Sequence, residues 1–297
     1  MQTLITFIKR NVKLFFCDKG MFFTSLITPV ILLVLYGFFL SDIYRDSLIA
    51  SSPEGVLVPS RIIDGLVGGQ LISSILAVSC VTVAFCSNFL MVQDKALGAR
   101  RDLTVSPVKR STLAVGYYLA SLISTLIICF SALGLCLIYV AVLGWYLSAL
   151  DVILLILDVF LLGLFGTAIS SVIGFFLSTQ GQISAVGTVV SSGYGFICGA
   201  YMPISTFGEG LRHVISFLPG TYGTALIRNH SVRGALAALE GEGVASELVD
   251  GIREAIDCRI YFFDIKVENW AMYTVLISSI LLFIGGYVLL NRFSKQR

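Results

Sequence analysis

The sequence predicts an all-α polytopic membrane protein with six transmembrane helices and an N-terminal amphipathic interfacial helix. Composition, long apolar runs and the placement of cations predict this fold class. The 297 residues are 57% hydrophobic and 13% charged, and the mean hydropathy is +0.92. A soluble domain normally has about 25% charged residues, so this composition excludes an ordinary soluble protein.

Each membrane span needs about 20 mostly apolar residues, and six segments of the sequence satisfy this requirement. The second and third are long enough to tilt or to extend beyond the bilayer. The six predicted spans are Met21–Leu40, Ile62–Val92, Leu113–Leu147, Val152–Leu177, Ile183–Met202 and Trp270–Leu290. The chain therefore divides into an N-terminal helix (1–19), spans one to five (20–202), an outer segment (203–269), and a sixth span with its cytoplasmic tail (270–297).

Residues 1–19 predict a cytoplasmic helix that lies in the headgroup region and is not a cleavable signal peptide. Apolar residues recur on one face with a 3.6-residue period, and basic residues lie off that face, as is typical of an interfacial helix. An ordinary cytoplasmic flank of the first span is the alternative. The apolar stripe consists of Leu4, Ile5, Ile8, Val12, Phe15 and Phe16, and the basic residues are Lys9, Arg10 and Lys13.

Cations orient the predicted bundle, because short loops rich in lysine and arginine stay in the cytoplasm. With both termini inside, the cytoplasmic side holds twelve cations against three acids, and the short outer loops hold only Arg45 and Arg61. The turn at Ser178–Gln182 should be cytoplasmic but has no cation. The pattern predicts a multi-pass protein of the cell membrane with both termini in the cytoplasm.

The polar segment 93–111, between the second and third predicted spans, is the strongest functional clue. It can form a short helix that ends before Ser106-Pro107, since proline disfavours helix at the residue before it. Such a helix can pass motion from a docked soluble domain into the bundle, whereas a basic loop that only sets topology is the alternative. The chain has no G-x-x-x-x-G-K-[ST] sequence, so an ATP-driven mechanism requires another chain. The cations of this segment are Lys95, Arg100, Arg101, Lys109 and Arg110.

Two motifs carry a resemblance to a known family. The run Gly98-Ala-Arg-Arg-Asp-Leu-Thr-Val-Ser-Pro-Val-Lys-Arg110 resembles the Gly-Thr-x-x-x-Leu-x-x-[Ser/Thr]-Pro-[Val/Ile]-x-[Arg/Lys] stretch of type-2 ABC exporter permeases. The run Phe217-Leu-Pro-Gly-Thr-Tyr222, preceded by Pro203, resembles the extracellular helical hairpin of the same family. The chain departs from the family at Arg101-Asp102, where a glutamate followed by a basic residue is usual, and in its long outer insert, Val232–Glu268.

The resemblance implies a permease subunit that has no enzymatic activity and exports an amphipathic substrate such as a drug, antibiotic, peptide, lipid or glycan. It implies an ABC ATPase partner that binds ATP and magnesium, a second permease subunit as homodimer or heterodimer, contact with membrane lipid, and no nucleic acid. It implies no cofactor or metal on this chain. It assigns coupling to the ATPase to Lys95, Gly98, Arg100, Arg101, Asp102, Leu103, Ser106 and Pro107, and the extracellular hairpin to Pro203, Pro219 and Tyr222.

Asp158 is the second candidate site, because it lies about 10 Å into the fourth predicted span at 1.5 Å per residue. A charge at such a depth costs a few kcal/mol and usually faces protein or water. We expect either a substrate-path or subunit-contact residue, or a structural acid that is protonated or bonded to a serine or tyrosine. Asp151, seven residues earlier, lies on nearly the same helix face.

Small residues recur at four-residue steps in the fourth and fifth predicted spans, which allows close helix approach. Packing within one subunit is the simpler interpretation, and a subunit interface or moving seam is the alternative. Aromatic residues at the outer boundaries predict an interfacial belt. The small residues are Gly166, Ser170, Gly174, Gly187, Ser191, Gly195 and Gly199, and the aromatic residues are Trp145, Tyr146, Tyr201, Trp270 and Tyr273.

The outer segment predicts two kinds of structure. Pro203–Pro219 is too short and polar to span, so we expect an interfacial or re-entrant helix. Val232–Ile256 predicts one or two solvated amphipathic helices broken near Gly241–Gly243.

Two other function classes compete with the permease. A stand-alone secondary transporter or channel needs more buried ionisable residues or broken helices at mid-membrane, and Asp158 alone supports it weakly. An intramembrane enzyme needs a cluster of acids, histidines or a nucleophile with a base, and the sequence shows no such constellation.

Overall fold

The fold was determined from a computed structural model, which describes residues 2–41, 45, 59–99, 108–263 and 265–293. Ten α-helices and one two-stranded antiparallel hairpin occur in this part of the chain, so the all-α prediction is confirmed. The helices are α1 (Gln2–Cys17), α2 (Lys19–Leu35), α3 (Ser60–Ala96), α4 (Arg110–Leu143), α5 (Ala149–Phe176), α6 (Gln180–Ile197), α7 (Glu209–Ser216), α8 (Pro219–Gly241), α9 (Ser246–Ala255) and α10 (Asn269–Phe293). A π-helical turn (Tyr36–Leu40) continues α2, a 3₁₀ turn (Ile204–Thr206) precedes α7, and the strands are β1 (Tyr261–Phe262) and β2 (Ile265–Lys266).

Local sequence signals explain where several helices begin. The Asp18 carboxylate accepts the Met21 N–H at the start of α2. Ser148 with Asp151 forms a capping box at the start of α5, as Thr179 with Gln182 does for α6. Pairs of this kind satisfy N–H groups that have no partner within the helix, so they fix the residues at which α5 and α6 begin.

Helix α3 is the centre of the bundle. It packs against α2, α4, α5, α6 and α8, and nearly all of its side chains are buried. Its 37 residues span about 56 Å at 1.5 Å per residue, which exceeds the thickness of a bilayer. The prediction that the second span is overlong is confirmed, and one end of α3 carries the residues nearest the predicted coupling segment.

Five of the described helices, α2, α3, α4, α5 and α10, are long and apolar enough to cross a membrane. The fifth predicted span forms α6, which has 18 residues, or about 27 Å, and is less apolar than these five because polar and glycine residues interrupt it. A crossing by α6 therefore stays a prediction, and with it the even number of spans that would place both termini on one side.

Helix α1 is amphipathic, and its buried face is rotated from the predicted stripe. It buries Phe7, Asn11 and Phe15, whereas Ile5 is half-exposed. The Phe7 ring packs edge-on against Tyr117 of α4, with ring centroids 4.9 Å apart. The face is rotated because α1 packs against α4, and that neighbour determines which residues are covered.

The outer segment contains the largest difference from the sequence prediction. The predicted break is confirmed, because α8 ends at Gly241 and Gly243 has a left-handed φ of +81° before α9 begins. The prediction that the part before this break is a solvated helix is wrong. It belongs to α8, which packs against α3, α5 and α10, and Val232, Leu236 and Leu239 are buried. This helix can be buried because its polar side chains find partners in its neighbours, which removes most of the cost of desolvation.

Candidate functional site

The predicted coupling segment is described only at its edges. Its first residues are not a separate helix, since α3 continues to Ala96 and ends in a turn. Gly98 follows with a φ of +81°, a conformation that favours glycine. Six of the predicted coupling residues lie outside the described residues, so their predicted role is not tested. They are Arg100, Arg101, Asp102, Leu103, Ser106 and Pro107.

Lys95 joins the end of α3 to the end of α5. Its ammonium group donates hydrogen bonds to the carbonyl oxygens of Gly174, Phe175 and Leu177, at 3.0, 2.6 and 3.0 Å. The last carbonyl groups of a helix have no partner within it and carry partial negative charge that attracts cations. A single side chain of the predicted coupling segment therefore binds the end of another long apolar helix.

Asp94, the residue before Lys95, connects three further elements. Its Oδ2 atom accepts hydrogen bonds from Arg10 of α1 at 3.0 Å and from the Tyr117 hydroxyl of α4 at 2.7 Å. Asp94 is buried, whereas the Arg10 side chain is 39% exposed. We call Arg10, Asp94, Lys95 and Tyr117 the Asp94 junction. The sequence analysis counted Asp94 and Arg10 only as charges, and an acid inside a basic segment was the signal that could have identified the junction.

Asp158 lies in a second polar cluster, at the other end of α5. Its Oδ2 atom is 2.5 Å from Nδ1 of His230 on α8, and its Oδ1 atom accepts the Tyr273 hydroxyl of α10 at 2.6 Å. The Asp158 and His230 side chains are buried. We call Asp158, His230 and Tyr273 the Asp158 junction. Both carboxylate oxygens contact the same chain, as the structural-acid alternative expects, although the partners include a histidine that the sequence analysis did not connect with Asp158.

The comparison with protein families identifies the class of protein. The family model described as ABC-2 type transporter matches residues 2–230. The chain belongs to the ABC-2 type transporter family. No match to a curated protein was found. The match includes Arg10, Asp94, Lys95, Asp158 and His230, so both junctions lie at least partly within the family region.

An ABC-2 membrane domain is a transport permease and is not itself catalytic. Together with the apolar helices, the family supports a multi-pass membrane protein. Three residues outside the segment 93–111 also carried the family resemblance, and they lie just before or near the start of helical elements in this fold. Pro219 is the first residue of α8, and the Tyr222 hydroxyl donates to the Ser216 carbonyl at 2.5 Å. Pro203 is the N-cap residue before the 3₁₀ turn, and the role of these three residues in a hairpin stays a prediction.

The ABC-2 chain also fixes its outer segment through buried charge. Arg228 of α8 is almost completely buried and donates to the Gly199 carbonyl at 2.5 Å and to Asp257 at 3.4 Å. Asp257 also accepts the Ile204 N–H at 2.6 Å. Burial raises the pKa of the Asp257 carboxyl above its ordinary value, and Arg228 opposes that rise. These bonds fasten the segment after α9 to the end of α6.

Asp151 has a structural role at the start of α5. It completes the capping box with Ser148, and its Oδ1 atom is 2.6 Å from Arg233 of α8. Arg233 and His230 both line a cavity of about 370 Å³, which Trp270 and Lys266 also border. The cavity lies beside α8, the β1–β2 hairpin and the start of α10.

The small residues Gly166 of α5 and Gly187 of α6 differ in how closely other atoms of the chain approach them. A Cβ atom at Gly166 would lie 2.9 Å from the Cys80 carbonyl oxygen of α3, and the Ser170 hydroxyl donates to the Ala84 carbonyl at 3.3 Å. Packing within the subunit is therefore observed for the α5 row. A Cβ atom at Gly187 of α6 would meet no atom of the described chain within 4 Å, so the α6 row does not pack closely within the subunit at that position.

Proposed function

We propose that this chain is the transmembrane permease subunit of an ABC exporter that moves an amphipathic substrate outward, driven by a separate ATPase subunit. Family membership supports the class of transporter. The outward direction and the substrate, whether a drug, antibiotic, peptide, lipid or glycan, follow from the resemblance of the two sequence motifs to type-2 exporters.

The Lys95 contact is the observation that carries the coupling part of the proposal. The segment 93–111 begins in the last turn of α3, and Lys95 attaches the end of α3 to the end of α5. Asp94 attaches the same end of α3 to α1 and α4. A displacement of the segment by a docked ATPase would therefore reach four helices at once. A loop that only sets topology does not need connections to four helices.

The rest of the assembly belongs to the same proposal. The ATPase subunits would bind ATP and magnesium, and this chain would hold neither. A second permease subunit, identical or different, would complete the substrate path. The poorly covered face of α6 around Gly187 supports a further contact outside this chain. The protein would lie in the cell membrane with both termini in the cytoplasm.

Reversing the charge of the coupling segment tests the proposal. In Arg100→Glu/Arg101→Glu, like charges would face an acidic partner surface, which costs several kcal/mol at an interface. We expect normal insertion and loss of the co-purifying ATPase, or retention of an ATPase that substrate no longer stimulates. The matched control is Arg212→Glu/Lys266→Glu, which reverses two cations of the outer segment. Unchanged ATPase association and transport in the Arg100/Arg101 variant would contradict the proposal.

The proposed topology is testable by thiol labelling from outside the cell. Cys258 is unsuitable as a reporter, because it is buried and burial raises the pKa of its thiol to about 12, leaving little reactive thiolate at neutral pH. Glu247 at the start of α9 is exposed, so Glu247→Cys should react with a membrane-impermeant maleimide on intact cells. The wild type gives the background. Labelling of Glu247→Cys only after permeabilisation would contradict the orientation.

A stand-alone secondary transporter is the second candidate, and the buried Asp158–His230 pair is the observation that favours it. Such transporters use ionisable groups within the membrane. Purification of the wild type in mild detergent separates the two functions, because only the ABC permease should bring an ATP-hydrolysing subunit with it.

A further inference from the structure

The Asp158 junction consists of three groups that can hold or donate a proton. The Asp158 carboxylate is buried on α5, and it contacts the His230 imidazole at 2.5 Å and the Tyr273 hydroxyl at 2.6 Å. Nδ1 of His230 faces the carboxylate, which leaves Nε2 as the second nitrogen of the ring. Histidine is the side chain that ordinarily changes charge near neutral pH.

Charged groups on every neighbouring element define the electrostatic surroundings of His230. Helix α5 contributes the acids Asp158 and Asp151, and Asp151 is paired with Arg233 of α8. On α3, which also packs against α8, Asp64 is paired with Arg45. The remaining titratable or charged groups are Arg228 on α8, paired with Asp257; Tyr273 on α10; and Arg253, Cys258, Arg259, Lys266 and Glu268 around the cavity.

Asp158 is the acidic residue in direct contact with His230, so a proton on the imidazole would balance the charge of its carboxylate. With a neutral imidazole the junction carries one net negative charge in a buried place, whereas a protonated imidazole gives an ion pair with no net charge. Burial of an unbalanced charge is costly, and a paired charge is tolerated far better. The surroundings of Asp158 therefore favour uptake of one proton by the junction.

A route for that proton is present beside the ring. His230 lines the cavity of about 370 Å³ together with polar and charged residues such as Asn229, Arg233 and Asn269. A polar cavity of this size holds water. Water in the cavity can deliver a proton to Nε2 of His230 while Nδ1–H continues to donate to Asp158.

We propose that Asp158, His230 and Tyr273 form a proton-binding site, in which the imidazole of His230 takes up the proton and Asp158 holds the resulting positive charge. The site joins α5, α8 and α10, so its charge state changes the strength with which the buried outer helix α8 is attached to two membrane-spanning helices. This inference rests on the geometry of the junction and does not depend on the proposed ATPase partner.

Magnetic resonance can observe the proton directly, because the chain has two histidines. His213 lies on α7 and stacks on Phe263, so His213→Gln leaves His230 as the one histidine. With isotope-labelled histidine in this variant, the imidazole resonances should show a single titration step between the protonated and the neutral ring. A ring that stays neutral at every pH at which the protein is folded would overturn the proposal even if no further variant folds.

A second variant tests the role of the carboxylate. A neighbouring negative charge favours the protonated imidazole, commonly by about one to three pH units, so adding Asp158→Asn should move the midpoint of the titration to lower pH by about one unit or more. Asp64→Asn removes another acid of the bundle and should leave the midpoint unchanged. Equal midpoints with and without Asp158 would overturn the proposed pairing, whatever the transport activity of these variants.

Discussion

The Asp94 and Asp158 junctions are built on the same plan with one difference. Each has a buried aspartate that accepts a hydrogen bond from a tyrosine and from a cationic or ionisable side chain on a third element. The partner of Asp94 is Arg10, which stays charged at any accessible pH, whereas the partner of Asp158 is His230, whose charge depends on pH. The first junction is a fixed connection, and the proposed uptake of a proton would make the second adjustable.

Helix α5 links the two junctions. Lys95 holds its last carbonyl groups, and Asp158 lies in its first half. Between them Gly166 and Ser170 face α3 at close range. A change at either junction therefore acts on the same helix, so the two junctions are mechanically connected through α5.

The largest effect on transport is expected from Asp158→Asn, which keeps the shape of the side chain and removes its charge. Hydrogen bonds to charged groups contribute about 1–2 kcal/mol more than neutral ones, so we expect transport to fall about tenfold. Transport and membrane expression should be measured together. If expression falls in parallel with transport, Asp158 has only a structural role and the comparison between the junctions fails.

Lys95→Gln should have the next largest effect, because it removes the cation from three helix-end carbonyl groups. Loss of a charged hydrogen-bonding group costs about 1.5–3 kcal/mol, so we expect a lower melting temperature and weaker stimulation of the ATPase by substrate. Lys109→Gln, at an exposed lysine near the same end of the bundle, is the matched control. Equal effects in the two variants would show that charge in this region matters and the contact does not.

Gly166→Ala tests the helix that links the junctions. Its new methyl group would lie 2.9 Å from the Cys80 carbonyl oxygen, and overpacking of this kind costs about 1–3 kcal/mol. Gly187→Ala on α6 adds the same group where no described atom lies within 4 Å, so it should not lower the stability of the isolated subunit and should raise it slightly, because alanine favours a helix more than glycine does. The melting temperatures of the two variants are the measurement, and a similar loss in both would contradict the assigned contact with α3.

The smallest effects, and the sharpest comparison, are expected from Tyr117→Phe and Tyr273→Phe. Each removes one hydroxyl from a buried aspartate, at a cost of about 0.5–1.5 kcal/mol. At Asp94 the partner is Arg10 and the junction contains no histidine, so Tyr117→Phe should leave the His230 titration unmoved. At Asp158 a less satisfied carboxylate should favour the protonated imidazole more strongly, which moves the His230 titration to higher pH. An unmoved titration in Tyr273→Phe would remove Tyr273 from the site.

The sequence by itself determined the features that depend on local composition. The apolar runs located the five described helices that are long and apolar enough to cross a membrane, because burial in lipid requires about 20 consecutive apolar residues wherever they occur. The break at Gly241–Gly243 was also predicted, since Gly243 adopts a left-handed conformation that glycine tolerates. The ordered motifs around Gly98–Arg110 and Pro219 indicated the family that the family model then confirmed.

The tertiary structure decided which helices are neighbours, and no local signal contains that information. His230 and Tyr273 lie 72 and 115 residues from Asp158 in sequence, so their convergence depends on the burial of α8 between α3, α5 and α10. The charged residues of α8 made it resemble a solvated helix, and pairing of Arg228, His230 and Arg233 with buried acids made its burial possible. The rows of α5 and α6 show the same small-residue spacing, and only the fold shows that α3 approaches Gly166 closely whereas no described atom lies within 4 Å of a Cβ atom at Gly187.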